Sequence, residues 1–421
     1  MKINFKNAKI QYLLVLGSNA LILILGFLTN IIVTHTMETE DYGFYKAVVN
    51  SMTTMTSLFS LGFSLTFSRV FAQNPDESKK RKIVGYAIII NLIISAAIFI
   101  VCLLLCGAFS LFSLEFPSYV VWASAFAWVL LLERFYLHKF QGENRMVAYS
   151  SISVFPKIFI GIAFLIAWLL KLQISAFIAT LFYLLSAIIL IVFFIIKEPP
   201  ILVLEKDLTC EILDSNKAYG FQLYLGSLAS VACAEILNLS VASISNLEEY
   251  ALFTLGLSFA SPIKQIPAVM GTISFKNNVS SNKMPTKQIL VTILMTILSL
   301  VAYVFFLNYI LILLIGESYL GGMFYASIMV FYYALLGLGD YFNRFIIAKG
   351  EGKSVRNSSI IVGVVLVVSA IILIPFFNVN GLIIAETLSG AVYLFNMIIL
   401  YIRLTKKIGQ EKQMTISDSE D

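Results

Sequence analysis

Charge is scarce in this 421-residue chain. Only 13% of its residues are Asp, Glu, Lys or Arg, against roughly 25% in an ordinary soluble domain. Histidine is scarcer still, represented by His35 and His138 alone. That excludes a multi-histidine metal site, and the four cysteines have no zinc-ligand spacing. Nor do the cysteines suggest a disulfide framework. Cys102 and Cys106 share one apolar run, Cys233 lies in another and Cys210 in a polar connection, so all four read as free thiols. No GxSxG elbow and no Walker phosphate loop occurs, and Gly350-Glu351-Gly352-Lys353 reads as a turn. The expectation is a non-enzyme that binds no cofactor and does not pump with ATP on its own.

What fills the chain is hydrocarbon: 59% of residues are hydrophobic and the mean hydropathy is +0.90, the composition of an integral membrane protein. Apolar runs predict twelve membrane-spanning helices at 10–35, 43–70, 83–107, 118–140, 146–170, 175–196, 219–245, 250–275, 288–315, 321–348, 357–377 and 381–403. The first run is too long for the h-region of a cleaved leader and reads as a span. The loop and terminal Lys and Arg fall almost entirely on one side: Lys2, Lys6 and Lys9, then Lys79 to Lys82, Arg145, Lys197, Lys206, Lys283, Lys353 and the tail. The other side has Lys171 alone. The positive-inside rule then puts both termini in the cytoplasm and explains the net charge of +5 without a nucleic-acid partner. The longest connection starts at Lys197 and carries Pro199-Pro200. The predicted organisation is a six-helix lobe over 1–196, a cytoplasmic linker over 197–218, a second six-helix lobe over 219–403 and a cytoplasmic tail over 404–421.

One apolar segment has a wet edge. From Tyr42 to Arg69, the polar residues Lys46, Asn50, Thr53, Ser57, Ser60, Ser64 and Ser68 recur at steps of three or four. They therefore share a stripe of one helix, which must face other helices or water rather than lipid tails. Shifting by 208 residues turns this stripe into Thr254, Ser258, Ser261, Gln265, Ala268, Thr272 and Lys276. The same shift carries Glu40-Asp41-Tyr42 to Glu248-Glu249-Tyr250, Gly142-Glu143 to Gly350-Glu351, and Asn30 to Asn238. A constant offset at separated places marks two homologous halves, a common construction of transporters.

Ionisable groups inside the spans are functional candidates, because each is costly unless paired or wetted. Lys264 lies beside the second stripe and Glu235 in the preceding helix, where the two could pair. Lys157 follows Pro156, whose ring opens a kink and frees a carbonyl. Glu133 and Arg134 approach one end of the fourth span; Asp340 and Arg344 hold the matching place in the tenth, spaced as a helical ion pair. These four read as snorkelling end charges or as a gate whose ion pairs break when the halves rock.

Glu38-Thr39-Glu40-Asp41-Tyr42-Gly43-Phe44-Tyr45, Leu61-Gly62-Phe63-Ser64 and Phe67-Ser68-Arg69 carry a resemblance, echoed by Asn246 to Phe253 and by Ser261-Pro262 to Ile266-Pro267. Together with Gly316-Glu317-Ser318-Tyr319, the chain resembles the Wzx-type polysaccharide flippases of the multidrug/oligosaccharidyl-lipid/polysaccharide (MOP) exporter superfamily. The resemblance implies an all-α integral membrane protein, its two lobes arranged as a V around a central cavity lined by spans 1, 2, 7 and 8. It also implies a bacterial cytoplasmic-membrane location and a substrate, undecaprenyl-pyrophosphate-linked oligosaccharide, flipped from the cytoplasmic to the periplasmic leaflet by alternating access. Partners would be that lipid-linked oligosaccharide, membrane lipids, and a polysaccharide polymerase with chain-length proteins. A proton or sodium gradient is the candidate energy source.

The residues agree chemically. Cations and hydroxyls would neutralise the diphosphate and hydrogen-bond the sugars, with Lys46, Asn50, Thr53, Ser57, Arg69, Lys157, Glu235, Asn238, Ser258 and Lys264 as the substrate-binding set. Glu133, Arg134, Asp340 and Arg344 form the gate set. A multidrug/cation antiporter of the same superfamily would want a carboxylate in the first span, where there is none; a membrane polymerase or glycosyltransferase would want a long outer loop.

Overall fold

A computed structural model describes residues 8–74, 76–112, 116–143, 145–221, 224, 228, 233–349 and 351–417, and no strand occurs among them. Two compact units partition the chain: Met1–Leu228 with Asn246–Ala251, and Ala229–Ser245 with Leu252–Asp421.

The first unit contains α1 (Ala8–Val33), α2 (Thr39–Phe59), α3 (Phe63–Gln73), α4 (Glu77–Leu111), α5 (Ser118–Gly142), α6 (Met146–Leu169), α7 (Ala176–Lys197) and α8 (Lys206–Ser215). Glu40 and Asp41 sit in the first turn of α2, where carboxylates complement the helix dipole. Asp76 caps α4 by accepting from the backbone N–H of Ser78 and Lys79 at 3.1 and 3.3 Å. The core is aromatic: Phe67 meets Phe135 edge-on at 5.1 Å and Phe140 meets Phe194 at 4.6 Å, geometries that add to their burial.

The second unit contains α9 (Cys233–Ile244), most of α10 (Leu247–Ala260), α11 (Pro262–Ser280), α12 (Thr286–Ala302), α13 (Asn308–Leu314), α14 (Gly321–Ala348) and α15 (Gly352–Ser417). Met284, Tyr341, Phe342, Phe345, Ile346, Tyr393 and Met397 form its core cluster. At Asn378, where φ is 48°, α15 breaks into two apolar passes. Gly381 allows that reversal, since a Cβ there would lie 2.3 Å from the Leu373 carbonyl oxygen.

Among the described residues, seven helices are individually long and apolar enough to cross a bilayer, counting the broken α15 once. With the shorter helices and the interrupted ones, the fold is an all-α bundle of about twelve transmembrane helices in two halves. Leu104, Phe193, Leu298 and Phe376 are exposed on its surface, an arrangement that suits acyl chains rather than water. Tyr42 and Tyr250, related by the 208-residue shift, are both completely buried.

The expected continuous span over 43–70 is broken. Leu61 and Gly62 take positive φ of 48° and 80° and separate α2 from α3. Backbone freed inside a membrane must find protein partners. Here Tyr224 donates its hydroxyl to the Leu58 carbonyl, and Asn216 Nδ2 donates to the Leu61 carbonyl at 3.1 Å. Thr66 Oγ1 closes the set by donating to Asn216 Oδ1 at 2.7 Å. Only glycine fits at 62, because a Cβ would stand 2.4 Å from the Gly220 carbonyl carbon. The second stripe is interrupted too, at Ser261 between α10 and α11.

Candidate functional site

α2 packs on α5 and α7 and buries Tyr45, Val48, Met52 and Met55. Its opposite face carries Lys46, Asn50, Thr53 and Ser57, all half-exposed. The polar stripe is thus accessible while the apolar face of the same helix is dry. Thr53 turns its hydroxyl back to the Val49 carbonyl at 3.0 Å, and Asn50 Nδ2 donates to Tyr250 Oη at 2.7 Å.

Charges converge on this stripe from neighbouring helices of the same unit. Arg134 of α5 donates from Nη2 to Ser57 Oγ at 3.1 Å. Lys157 of α6 lies close enough to Lys46 to repel it and close enough to Glu133 to be offset by it. Glu133 also feels Arg134, and Tyr183 of α7 faces Glu133, Tyr45 and Arg134. Lys157 is reachable by solvent although protein atoms surround it, as befits the wall of a recess. Pro156 beside it is buried within α6, which continues past it. Lys157 and Arg134 therefore share one carboxylate and Lys46 adds a third cation beside Lys157, an arrangement that an anionic ligand would complete. Glu133 and Arg134, expected near a helix-end gate, belong to this constellation. Arg69 is exposed on α3, beyond the break at Gly62.

The remaining predicted residues lie in the second unit. Lys264 pairs with Asp340, Nζ to Oδ2 at 3.1 Å, which corrects both the expected Lys264–Glu235 pair and the expected Asp340–Arg344 pair. Two glycines of α14 explain the choice. At Gly337 a Cβ would meet Pro267 at 2.6 Å and the Lys264 carbonyl at 2.9 Å, so α11 crosses α14 there and delivers Lys264 to Asp340. At Gly339 a Cβ would meet the Tyr393 ring at 2.4 Å, and this close seat lets Tyr393 Oη donate to Asp340 Oδ1 at 2.8 Å. Arg344 is exposed and its side chain runs past Gly271. Ser258 is half-exposed and donates to the Thr254 carbonyl at 2.8 Å. The side chains of Thr272 and Lys276 lie outside the described residues.

Glu235 and Asn238 stand on α9, and Asn238 lies close to the Glu386 carboxyl of α15. Glu386 is only 1% exposed, with Tyr332 and Tyr333 of α14 within electrostatic reach. From the sequence Glu386 reads as a residue near the outer end of the last span; its apolar neighbours hide its burial beside Asn238.

A second charged group was read from the sequence only as charges at helix ends and in loops, without its pairing. Lys139, 1% exposed, bridges Glu143 at 3.2 Å and Glu198 at 2.6 Å, and Arg145 bridges the same two carboxylates at 3.0 and 2.5 Å. Burial alone would raise the Glu198 carboxyl, but Lys139 and Arg145 outweigh it and hold it below the ordinary carboxylate range.

Comparison with known proteins places this geometry. Residues 11–275 match the model of the family described as polysaccharide biosynthesis protein. No curated protein matches the chain. Solved structures similar in fold include the lipid II flippase MurJ in an inward closed conformation, at 15% identity and TM-score 0.72 over 96% of this chain and 91% of that one. An inward-facing multidrug-resistance MATE transporter of the MOP superfamily is similar at 16% identity and TM-score 0.60, over 93% and 96%. A MOP-superfamily transporter from Pyrococcus furiosus with a binding pocket of reverse polarity is similar at 17% identity and TM-score 0.57, over 96% of both chains. The chain is a member of the polysaccharide biosynthesis protein family, built on the fold of the MOP-superfamily transporters.

Proposed function

We propose that this protein flips an undecaprenyl-pyrophosphate-linked oligosaccharide repeat unit from the cytoplasmic to the periplasmic leaflet of a bacterial inner membrane, by alternating access, for surface polysaccharide such as O-antigen. The observation that carries the reading is the accessible, net-cationic constellation of Lys46, Arg134 and Lys157 with Glu133, set against the polar stripe of α2. A diphosphate cannot cross about 30 Å of hydrocarbon bare. Three cations and adjacent hydroxyls offer it charge-assisted hydrogen bonds, while Asn50, Thr53 and Ser57 suit sugar hydroxyls. Lys264 and Ser258 remain candidates for the same substrate, and both termini would be cytoplasmic.

Energy would come from a proton or sodium gradient, with the buried Glu386, which lies near Asn238, as the coupling group. An ionisable side chain held so far from water is costly unless it is used. A drug/cation antiporter is disfavoured because the accessible excess is basic and α1 has no carboxylate.

The test is export of surface glycan in a strain whose own flippase is deleted. Lys46→Ala with Lys157→Ala should abolish export at unchanged protein level. Full export by that double variant would refute the cationic site.

A further inference from the structure

On the first unit, α1, α6 and α7 enclose a groove of about 1340 Å³ that lies away from the α2 stripe. That exceeds the roughly 300–1,000 Å³ of sites for drug-sized ligands. Its walls are apolar, with Leu21 from α1, Val154 and Ile158 from α6, and Ile189 and Phe193 from α7. Leu21, Ile158, Ile189 and Phe193 are also exposed, so the groove opens onto the surface that meets acyl chains.

One end of the groove is charged. Arg145, Glu143 and Lys197 line it, and Lys139 and Glu198 stand behind them. Three cations thus face two carboxylates, leaving a positive surplus. Both ion pairs of Arg145 run through Nη1, so its other edge remains for a further oxygen. Lys197 is exposed, with Nζ lying 5.7 Å over the Phe193 ring. A little over a turn further along α6, Ser150 lines the groove at 5% exposure, and its Oγ has no hydrogen-bond partner in the protein. A buried hydroxyl left so is unfavourable unless something in the groove meets it.

We propose that this groove holds an anionic phospholipid of the surrounding bilayer. Its acyl chains lie against α6 and α7, its phosphate sits between Arg145 and Lys197, and Ser150 donates to an ester carbonyl. Basic pockets between transmembrane helices recognise anionic headgroups in this way. A zwitterionic lipid would bring its own cation against Arg145 and Lys197, and free phosphate would leave the apolar walls uncovered. The inference stands on this groove alone and does not depend on which substrate the protein moves.

The test is native mass spectrometry of the delipidated full-length protein titrated separately with dioleoyl phosphatidylglycerol, dioleoyl phosphatidylcholine, glycerol 3-phosphate and undecaprenyl phosphate. Phosphatidylglycerol should bind about tenfold or more tighter than phosphatidylcholine, and glycerol 3-phosphate should not bind. Lys197→Ala, an exposed position, should remove most of that preference. Ile158→Trp, which fills the groove from its exposed wall, should weaken both phospholipids with an unchanged melting temperature. Equal binding of the two phospholipids would overturn the proposal, as would an unaltered preference in Lys197→Ala. Displacement of phosphatidylglycerol by undecaprenyl phosphate at lower concentration would reassign the groove to a polyprenyl lipid, and binding of glycerol 3-phosphate alone would make it a simple anion site.

Discussion

Replacing Lys139 by methionine removes one charge from the interior of the first unit while nearly keeping the side-chain volume. Lys139 is 2% exposed in its side chain, Glu143 7% and Glu198 27%, so the substitution strands two carboxylates with Arg145 as their remaining cation. Breaking a buried ion pair from one side costs about 3–5 kcal/mol. Because Arg145 still reaches both carboxylates, the lower end applies, about 3 kcal/mol. For a unit of this size, each kcal/mol moves the melting temperature by about 2–4 °C, so the transition should fall by about 6–12 °C. Lys79→Ala provides the contrast. Lys79 and Glu211 approach as closely, at 2.8 Å, but are 35% and 43% exposed, and such a pair is worth about 0.2–1 kcal/mol. Scanning fluorimetry of the purified protein in one detergent would compare the two, together with Lys139→Met/Glu198→Gln, which removes a stranded charge and should recover part of the loss. A fall below about 2 °C for Lys139→Met, or a double variant no more stable than the single, would refute the view that this buried network holds α5 to the end of α7.

Gly62→Ala should cost several kcal/mol, about 1 from positive φ and the rest from the clash with the Gly220 carbonyl; a melting temperature equal to the parent's would contradict the assigned break. Gly339→Ala should displace Tyr393 from Asp340 at a cost of about 1–3 kcal/mol, and Tyr393→Phe should lose the hydrogen bond without the overpacking, so Gly339→Ala should melt lower than Tyr393→Phe. The Glu198 carboxyl titrates below its unfolded value, so its contribution is present above about pH 4.3 and is lost as pH falls through the folded value. Melting temperature followed from pH 7 to pH 3 should therefore fall less steeply for Glu198→Gln than for the parent; parallel curves would sink that assignment.

Most of the architecture was legible because a bilayer imposes length and hydropathy on every crossing, and the 208-residue shift exposed the duplication. The interruption at Leu61-Gly62 was not. Its carbonyls are satisfied by Asn216 and Tyr224, about 150 residues away in the chain, and nothing in the local run announces such partners. The stripe residues Lys46, Asn50, Thr53 and Ser57 were readable from period alone. Lys157 was grouped with them as an intramembrane cation, but Glu133 and Arg134 were assigned to a gate, since they reach the stripe only through the packing of α5. Lys264 was matched to Glu235 because adjacent helices are the first guess. The distant Asp340 wins because Gly337 lets α11 cross α14 at close range. Lys139 and Glu198 are each unremarkable in sequence, and only the folded chain shows that they pair.

The most direct measurement is aqueous access to α2. In a version of the protein with its native cysteines replaced, single cysteines at Asn50, Thr53 and Ser57 should react with a membrane-impermeant maleimide supplied to both faces of the membrane. Cysteines at Val48, Met52 and Met55, on the buried face, should stay unlabelled. If the polar positions resist the reagent, or react only with a lipid-soluble one, the stripe is not wet and no charged head group can travel along it.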